Sequence, residues 1–310
     1  MINRLQTWAA ERGCRVGWGP LELVETVLKE IGTRRASREL NEVLFQGELA
    51  SLSVGEGPRE RGMTTVVVVV KPRPAHMVSF DLNEDRIEAV LPPTYVRYYP
   101  LSDDLERDLQ EHGLPGARVE RVAAPLKLLA ACLGLVRYGL NNITYVRGIG
   151  SYFQLFGYLT NVSLPLPKGW RPRKPSLLPE CASCGACLSA CPTGAIADDR
   201  LLLRAERCLT FANENPGPWP SWVPSWAHHC LLGCLLCQRC CPANPELPLE
   251  SSDVLFTREE TRALLADSGD HSGHQWDGIR AKLDRLGQPY AEPVIGRNLR
   301  ALVDTSVSRG

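Results

Sequence analysis

The stretch CASCGACLSACPTGAIADDR, residues 181–200, places four cysteines within eleven positions and follows the last one with a proline. A second stretch, HHCLLGCLLCQRCCPANP at residues 228–245, places five more within twelve positions. Cysteines at such short intervals are typical of metal ligands when a protein works in a reducing compartment, whereas disulfide frameworks belong to small secreted chains. The two stretches therefore predict metal centres.

The spacing of the first four cysteines indicates iron–sulfur clusters rather than zinc. A structural zinc site usually has two Cys-x2-Cys pairs separated by a loop. Cys181, Cys184 and Cys187 instead follow one another at equal short steps, which lets a tight loop occupy three corners of one [4Fe–4S] cubane. Cys191 precedes a proline and points towards a second cluster, as in bacterial two-cluster ferredoxins. We therefore expect two [4Fe–4S] clusters.

The second cysteine stretch supplies the ligands that the first one lacks. Its Cys-Pro step at Cys241 repeats the spacing of the first, so we expect this cysteine to complete the first cluster. The same register makes Cys234 and Cys237 ligands of the second cluster. The fourth ligand of that cluster has two candidates, Cys208 and Cys230, because a strict repeat would place it at position 231, where the chain has no cysteine.

Composition and charge argue against several classes of function. The 310 residues include 35 Lys or Arg and 35 Asp or Glu, so no overall basic excess indicates nucleic acid or an anionic membrane as the main partner. The N-terminus has no apolar signal-peptide core, and the longest apolar run, TTVVVVV at 64–70, is far shorter than the roughly 20 residues that cross a bilayer. We expect a cytoplasmic protein with no membrane partner.

The periodicity of apolar residues predicts a mixed α/β chain. LELVETVLKEIG at 21–32 has helical spacing, and SRELNEVLF at 37–45 begins with a serine suited to cap a second helix. TTVVVVV predicts a buried strand, and residues 76–93 predict a hairpin. The proline-rich segment 165–180 predicts a linker. The expected domains are an α/β domain for cofactor or substrate at 1–170, a double-cluster domain at 171–250 and a helical segment at 251–310.

Four stretches make the chain similar to a known family. CASCGACLSACPTGAI, RCLTF and GCLLCQRCCPAN, together with GLVRYGLNNITYVRGIGSYFQLFGYLTN at 134–161, resemble the epoxyqueuosine reductases, which share this module with corrinoid reductive dehalogenases. The likeness covers about residues 63–245. It implies an α+β fold, in which a nitroreductase-like α/β domain at the N-terminus is followed by a ferredoxin-like double [4Fe–4S] cluster domain.

The resemblance also implies which cysteines bind which cluster. In that family the cysteine equivalent to Cys208 is a ligand, which decides between the two candidates for the second cluster. Cys230 and Cys240 are then expected to pack beside the clusters, and Cys14 and Cys132 to be buried thiols. The implied ligands are Cys181, Cys184, Cys187 and Cys241 for the first cluster, and Cys191, Cys208, Cys234 and Cys237 for the second.

Cobalamin is the second cofactor that the resemblance implies, bound base-off between the two domains. Two low-potential clusters move single electrons and perform no bond chemistry themselves, so they need such an acceptor. In an alternative interpretation, the glycines of the glycine-rich stretch only form a turn and its asparagines cap that turn. The residues expected to contact cobalamin are Gly139, Asn141, Asn142, Gly150, Ser151 and Tyr152.

Three departures from the family pattern bear on the substrate. The family's aspartate proton donor, just before an Ala-Pro step, is replaced here by Val122 or Ala123. Family members often carry a basic residue after the glycine of the Tyr-Gly pair, where this chain has Leu140. Many of them also have a long C-terminal helical extension that helps to hold tRNA, and it has no counterpart here. These departures argue against tRNA as a partner. Tyr138, Tyr145 or Tyr152 could donate the proton instead, as tyrosines do in reductive dehalogenases. Tyr138 is the expected donor, with core packing as the alternative for each tyrosine.

The sequence thus supports two functions. The first is a cobalamin-dependent iron–sulfur reductase, which receives electrons from a donor such as ferredoxin or flavodoxin and performs reductive chemistry on a small molecule. The second is a redox carrier, or a reductase that reactivates a corrinoid protein and has no substrate of its own. The missing aspartate favours the carrier, whereas the retained glycine-rich stretch favours the enzyme.

Overall fold

The computed structural model describes residues 1–52, 57–82, 85–199, 202–266 and 271–307. Its strands are β1 (Arg15–Pro20), β2 (Thr65–Pro72), β3 (Ala75–Leu82), β4 (Asp85–Leu91), β5 (Val119–Arg121), β6 (Arg137–Tyr138), β7 (Thr144–Tyr145), β8 (Phe153–Thr160) and β9 (Leu249–Phe256). Its α-helices are α1 (Ile2–Glu11), α2 (Glu22–Ala36), α3 (Glu42–Leu44), α4 (Gly57–Glu60), α5 (Tyr98–Asp108), α6 (Leu126–Cys132), α7 (Cys181–Cys184), α8 (Ala186–Ala190), α9 (Leu209–Glu214), α10 (Leu236–Arg239), α11 (Arg258–Ala266), α12 (His274–Leu286) and α13 (Glu292–Val307). The mixed α and β content is as the sequence predicted.

The chain divides into two compact units that interleave along the sequence. Unit 1 comprises Met1–Pro72, Pro100–Gly185 and Asp199–Leu202, and unit 2 comprises Arg73–Tyr99, Ala186–Asp198 and Leu203–Gly310. This division differs from the predicted domains 1–170, 171–250 and 251–310. The reason is that residues 73–99, which the sequence analysis assigned to the first domain, contribute β3 and β4, and β3 pairs with β9 near the C-terminus.

Unit 1 is built on an antiparallel sheet with the strand order β1, β2, β8, β5. The valines of β2, Val66–Val70, have no exposed surface, as the run of β-branched residues predicted for a strand buried on both faces. Val66, Val68 and Val70 belong to a core that also contains residues of α2 and α6. The glycine-rich stretch follows α6 and forms the short β6–β7 hairpin and then the central strand β8.

Unit 2 contains a three-stranded sheet with the order β4, β3, β9. The predicted hairpin is present as antiparallel β3 and β4, although its turn at 83–84 lies outside the described residues. Strand β9 runs parallel to β3, and the Phe80 and Phe256 rings stack with their centroids 4.6 Å apart. Leu264, Ile279 and Leu299, from α11, α12 and α13, complete the core against this sheet.

One predicted helix start differs from the structure. Ser37 was expected to cap the second helix, but α2 continues to Ala36 and Ser37 ends it. The next helix starts after Asn41, whose side-chain oxygen accepts a hydrogen bond from the Leu44 amide at 3.1 Å. Asn41 therefore satisfies one of the amides that a helix N-terminus leaves without a partner.

In the part of the chain that the structure describes, no helix is both long and apolar enough to span a bilayer.

Candidate metal centre

All four ligands predicted for the second cluster lie in unit 2, and three of their thiols influence one another. Burial raises the pKa of the Cys208 thiol, and negative charge on Cys191 raises it further. Burial likewise raises the pKa of Cys234 to about 12, with further contributions from Cys208 and Cys191. Charge interactions of this kind act over several ångströms, so the three thiols lie in the same part of unit 2. Cys237, the fourth predicted ligand, lies on α10.

Hydrogen bonds around Cys191 favour its thiolate form. Burial alone would raise the pKa of this thiol, but donors from Thr193, Ala195 and Ile196 outweigh burial and lower it. The Thr193 hydroxyl lies 3.6 Å from the sulfur. Cys208 is the N-cap of α9, and burial outweighs the nearby Thr210 and Phe211 donors, so the pKa of its thiol stays raised. The thiolate is the form that binds iron, so the environment of Cys191 suits a ligand.

The two Cys-Pro steps adopt the same turn. The Cys191 amide donates to the carbonyl three residues earlier at 3.4 Å, and its own carbonyl accepts from Gly194 at 3.4 Å. Cys241 forms the equivalent bonds with Gln238 and Asn244, at 3.2 and 3.0 Å. Helices α8 and α10, which precede the two steps, pack against each other. The repeat in the sequence is thus a repeat in backbone structure.

The ligands predicted for the first cluster come from both units. Cys181 and Cys184 are the first and last residues of α7 in unit 1, whereas Cys187 on α8 and Cys241 belong to unit 2. Among the described residues, no three His, Cys, Asp or Glu side chains are grouped as ligands of a single metal ion would be. The four thiolates of a cubane each bind a different iron and do not converge on one point.

The cysteines outside the predicted ligand set are mostly buried. Cys230 is 2% exposed, and the next residue, Leu231, donates its amide to the Val90 carbonyl at 2.7 Å. Cys14 and Cys132 are also buried, and burial is the main cause that raises the pKa of each thiol. Cys240 is exposed.

The residues predicted to contact cobalamin on the β6–β7 hairpin form its turn. The Asn141 side chain is 2% exposed, donates from Nδ2 to the Tyr145 hydroxyl at 2.8 Å and accepts the Ile143 amide at 3.2 Å. Asn142 adopts a left-handed conformation with φ of 58°. A Cβ atom on Gly139 would lie 2.5 Å from the Asn141 side-chain oxygen, so the turn itself requires glycine here. The amide arms of a corrinoid are not needed to explain these residues.

The other residues predicted to contact cobalamin, Gly150, Ser151 and Tyr152, are buried in unit 1. Gly150 has φ of 79°, and its carbonyl accepts the Val146 amide at 2.9 Å. Ser151 and Tyr152 are 4% and 3% exposed. A cleft of unit 1 lined by Gly134, Val136 and Arg137 measures about 110 Å³, well below the roughly 300–1,000 Å³ of drug-sized sites, and none of the residues predicted to contact cobalamin lines it. The side chains of Asn141, Ser151 and Tyr152 are buried and do not fit a surface for a macrocycle.

The predicted proton donor, Tyr138, lies in the core of unit 1. It is 8% exposed, and burial raises the pKa of its hydroxyl well above 10. Its backbone pairs with Leu177. Val122 and Ala123 are the two residues that the sequence offers in place of the family's aspartate. Val122 is 7% exposed and its amide donates to the Gly157 carbonyl at 3.0 Å, whereas Ala123 is exposed. Tyr138 as proton donor remains a prediction.

The adjacent histidines near the second cysteine stretch each have a partner. The His228 ring lies 4.3 Å from the Trp219 ring, and burial lowers its pKa to about 4. The His229 Nε2 atom accepts the Leu235 amide at 2.9 Å. The sequence analysis did not identify the Thr193 donor to Cys191, although the Pro-Thr-Gly turn directly after the cysteine is the signal that could have found it.

Comparison with known proteins places the cysteine region in a family. Residues 180–244 match the 4Fe-4S double cluster binding domain. An epoxyqueuosine reductase from Aliivibrio fischeri is 31% identical over 150 residues, which cover 48% of this chain and 37% of the relative. One from Bacillus subtilis is 36% identical over 97 residues, covering 31% of this chain and 22% of the relative. The alignments with these two curated relatives thus span less than two fifths of the relatives' length.

Solved structures agree in fold over nearly the whole chain. Epoxyqueuosine reductase in a crystal with an epoxyqueuosine-modified tRNA-Tyr stem loop has a TM-score of 0.65 and 19% identity, covering 98% of this chain and 81% of the other. The enzyme from Streptococcus thermophilus has a TM-score of 0.63 and 16% identity, with coverage of 98% and 80%. At these identities the likeness shows the fold.

One expectation from the sequence, that tRNA is not a partner, stays a prediction. The sequence analysis argued against tRNA as a partner, whereas one of the proteins that share this fold was crystallised with a tRNA stem loop. The resemblance stated from the cysteines and glycines is confirmed by sequence and by fold. Residues 180–244 match a 4Fe-4S double cluster binding domain, and the chain resembles epoxyqueuosine reductases in sequence and in fold.

Proposed function

We propose that this chain is an iron–sulfur reductase, in which two [4Fe–4S] clusters carry single electrons from a donor such as ferredoxin or flavodoxin to an acceptor. The match of residues 180–244 to a double cluster binding domain carries the proposal. The half-buried thiols of Cys191, Cys208 and Cys234 support it, because thiols with nearby hydrogen-bond donors suit a cluster ligand set.

The proposed electron transfer does not use cobalamin as the acceptor. The resemblance implied cobalamin as the acceptor, but Asn141 is bonded within its own turn and Ser151 and Tyr152 are buried. Their side chains therefore offer it no binding surface. Cobalamin enters the proposal as a ligand to be added in the experiment, and its binding would have to use other atoms of the chain.

Two substrate classes follow from different observations. The names of the relatives, and the stem loop in one solved structure, make epoxyqueuosine-modified tRNA a candidate. A small molecule is the other candidate, because Val122 is buried and Ala123 supplies no acid where the family carries its aspartate. A positioned acid typically contributes about 10²–10⁴-fold to a rate, so an enzyme that lacks it needs another donor.

A carrier protein is the second candidate function, and the same absence of an acid at Val122 and Ala123 favours it. Electron delivery to a partner protein, including a corrinoid protein, requires no proton donor in this chain. Within the carrier hypothesis, the thiol environments around Cys191 and Cys208 set the cluster potentials, and the partner performs all bond chemistry.

Anaerobic purification with iron and sulfide analysis tests the shared part of both functions. About eight iron and eight sulfide per chain are expected from two cubanes. Stoichiometric zinc with no iron would contradict the assignment. Hydroxocobalamin is then added, and the protein is assayed with reduced ferredoxin and an epoxyqueuosine-modified tRNA stem loop. Turnover supports the reductase, whereas electron delivery to a corrinoid protein without turnover supports the carrier.

Tyr138→Phe tests the proton donor that the sequence predicted. The phenol is buried and its raised pKa keeps its proton in place until a substrate accepts electrons. If Tyr138 donates, the variant keeps its normal cluster content but loses turnover by about 10²-fold or more with whichever substrate is reduced. Undiminished turnover would leave Tyr138 with core packing alone. Tyr145→Phe, which removes a hydroxyl bonded to Asn141, is the matched control.

A further inference from the structure

One continuous part of the sequence carries a net positive charge because it contains no acidic residue. Between Glu120 and Glu180 there are eight Lys or Arg residues and no Asp or Glu, although the whole chain carries equal numbers of both signs. Four of these cations lie in KGWRPRKP at 168–175. A local excess of one sign attracts anions even when the net charge of the protein is zero.

The segment that carries these cations is held in place. The sequence analysis predicted a linker here, but the Arg173 amide donates to the Cys132 carbonyl at 2.7 Å. The Tyr138 amide donates to Ser176 at 3.0 Å, and the Leu178 amide donates back to Tyr138 at 2.7 Å. Prolines at positions 172 and 175 restrict the backbone further. The charged side chains therefore start from a defined backbone rather than from a flexible linker.

Gly134 places the Arg173 side chain. Gly134 has φ of 76°, a conformation that favours glycine. A Cβ atom at this position would lie 2.5 Å from Nε, 2.7 Å from Cδ and 2.8 Å from Cζ of Arg173. The guanidinium group of Arg173 therefore lies directly over the Gly134 backbone, in space that any side chain at position 134 would fill.

These cations line a small cleft in unit 1. Its volume is about 110 Å³, and its polar lining consists of Arg137, Arg173, Lys174 and Ser176, with Gly134 among the other residues. No carboxylate is among the lining residues. A site of this volume holds a few water molecules or a small anion and excludes a drug-sized ligand.

We propose that this cleft binds a phosphate group. The planar guanidinium groups of Arg137 and Arg173 suit bidentate bonds to phosphate oxygens, Lys174 adds a compact charge and Ser176 adds a hydroxyl donor. The phosphate belongs either to a nucleic-acid backbone or to a free phosphate ester, since the two present the same oxygens. The site does not depend on the clusters or on the proposed reductase activity.

Titration with inorganic phosphate at low ionic strength, followed by calorimetry on the cluster-loaded protein, tests the site. Arg173→Gln is expected to weaken phosphate binding about tenfold or more, because it removes a positive charge and the charge-assisted hydrogen bonds of the guanidinium group. Lys174→Gln is expected to weaken it as well. Arg171→Gln is the matched control, because Arg171 is close in sequence but does not line the cleft and instead bonds the Trp170 carbonyl. Its affinity should stay within about twofold of the unmodified protein.

Two results would overturn the proposal. In the first, the unmodified protein binds phosphate no more strongly than it binds chloride. In the second, Arg171→Gln and Arg173→Gln lose equal amounts of phosphate affinity. Cluster content is measured in every variant, so a failure of the phosphate site is distinguishable from a failure of the iron–sulfur assignment. An RNA hairpin that displaces phosphate in the unmodified protein identifies a nucleic-acid backbone as the source, and a hairpin that does not displace it identifies a free phosphate ester.

Discussion

The β6–β7 hairpin and the Cys191 region each contain residues predicted from sequence to bind a cofactor, yet their turns are built differently. In the hairpin, polar side chains bond one another, as Asn141 bonds the Tyr145 hydroxyl. After Cys191, donors from Thr193 and the next residues converge on one sulfur atom. A turn whose donors converge on an anionic atom is prepared for a ligand, whereas a turn whose side chains pair with each other is already complete.

Cys208→Ser is the substitution with the largest expected effect on this comparison. Serine is a poor iron ligand, so we expect the variant to lose or convert one of two clusters, which lowers iron from about eight to about four per chain. Iron and sulfide analysis with electron paramagnetic resonance of the reduced protein measures the change. Cys230→Ser is the control, since Cys230 is buried beside Val90, and it should keep both clusters. The reverse result would assign the ligand to Cys230.

Val122→Asp tests whether the region beside the hairpin is closed core. Val122 is buried and packs against the Gly157 backbone of β8, so a carboxylate there has no water and no partner. We expect the free energy of unfolding to fall by about 3–5 kcal/mol. Chemical denaturation measures it. Ala123→Asp is the control, because Ala123 is exposed and should change stability by less than about 0.5 kcal/mol. Equal effects would mean that Val122 is not core.

The pH dependence of stability probes the region of unit 2 beside the second cysteine stretch. Burial, with the nearby charges of His229 and Arg297, lowers the pKa of His228 to about 4 from an ordinary value of 6.5. Below pH 6.5 His228 binds a proton in the unfolded chain but not in the folded chain. The free energy of unfolding therefore falls as the pH drops from 6.5 towards 4. The full effect is on the order of 3 kcal/mol.

Denaturation of the cluster-loaded protein between pH 7 and 5 measures the upper part of this window. His228→Gln has no imidazole to titrate, so its stability should change less with pH than that of the unmodified protein. Parallel pH profiles for the two proteins would show that His228 is not held neutral by the fold.

Asn141→Ala has the smallest expected effect, and it tests the hairpin turn in the comparison with the Cys191 turn. The variant removes the hydrogen bonds that Asn141 forms with the Tyr145 hydroxyl and the Ile143 amide, which costs about 2 kcal/mol of stability. Thermal unfolding measures the loss. Asn142→Gly should be neutral or slightly stabilising, because Asn142 already has a positive φ. A stable Asn141→Ala protein with weakened binding of added cobalamin would instead support a role as a cofactor contact.

The sequence predicted best where spacing alone carries the information. Cysteine intervals reflect the geometry of a cluster, and the equal turns at Cys191 and Cys241 follow from the repeated Cys-x3-Cys-Pro step. The valine run predicted β2 because five consecutive β-branched residues suit a strand buried on both faces. In each case the signal is local, so no distant partner needs to be known.

Features that depend on distant partners could not be predicted in this way. Strand β9 reads LESSDVLF, with polar residues in its first half, and it is a strand because β3 pairs with it. The segment at 173–178 has the composition of a linker, yet its backbone bonds Cys132 and Tyr138. The role of Asn141 in its turn was open as an alternative, because sequence does not reveal whether an amide is satisfied by Tyr145 or by a cofactor.

The parallel pairing of β3 with β9 has a consequence for synthesis of the chain. Ala75 pairs with Leu249, so the hairpin of β3 and β4 leaves the ribosome long before its third strand exists. At about 5–20 residues per second, this interval lasts roughly 10–35 s. During that time one edge of β3 is unpaired and open to association with other nascent strands. Unit 2 therefore completes its sheet late, and the cysteines from 187 to 241 emerge while that edge is still open.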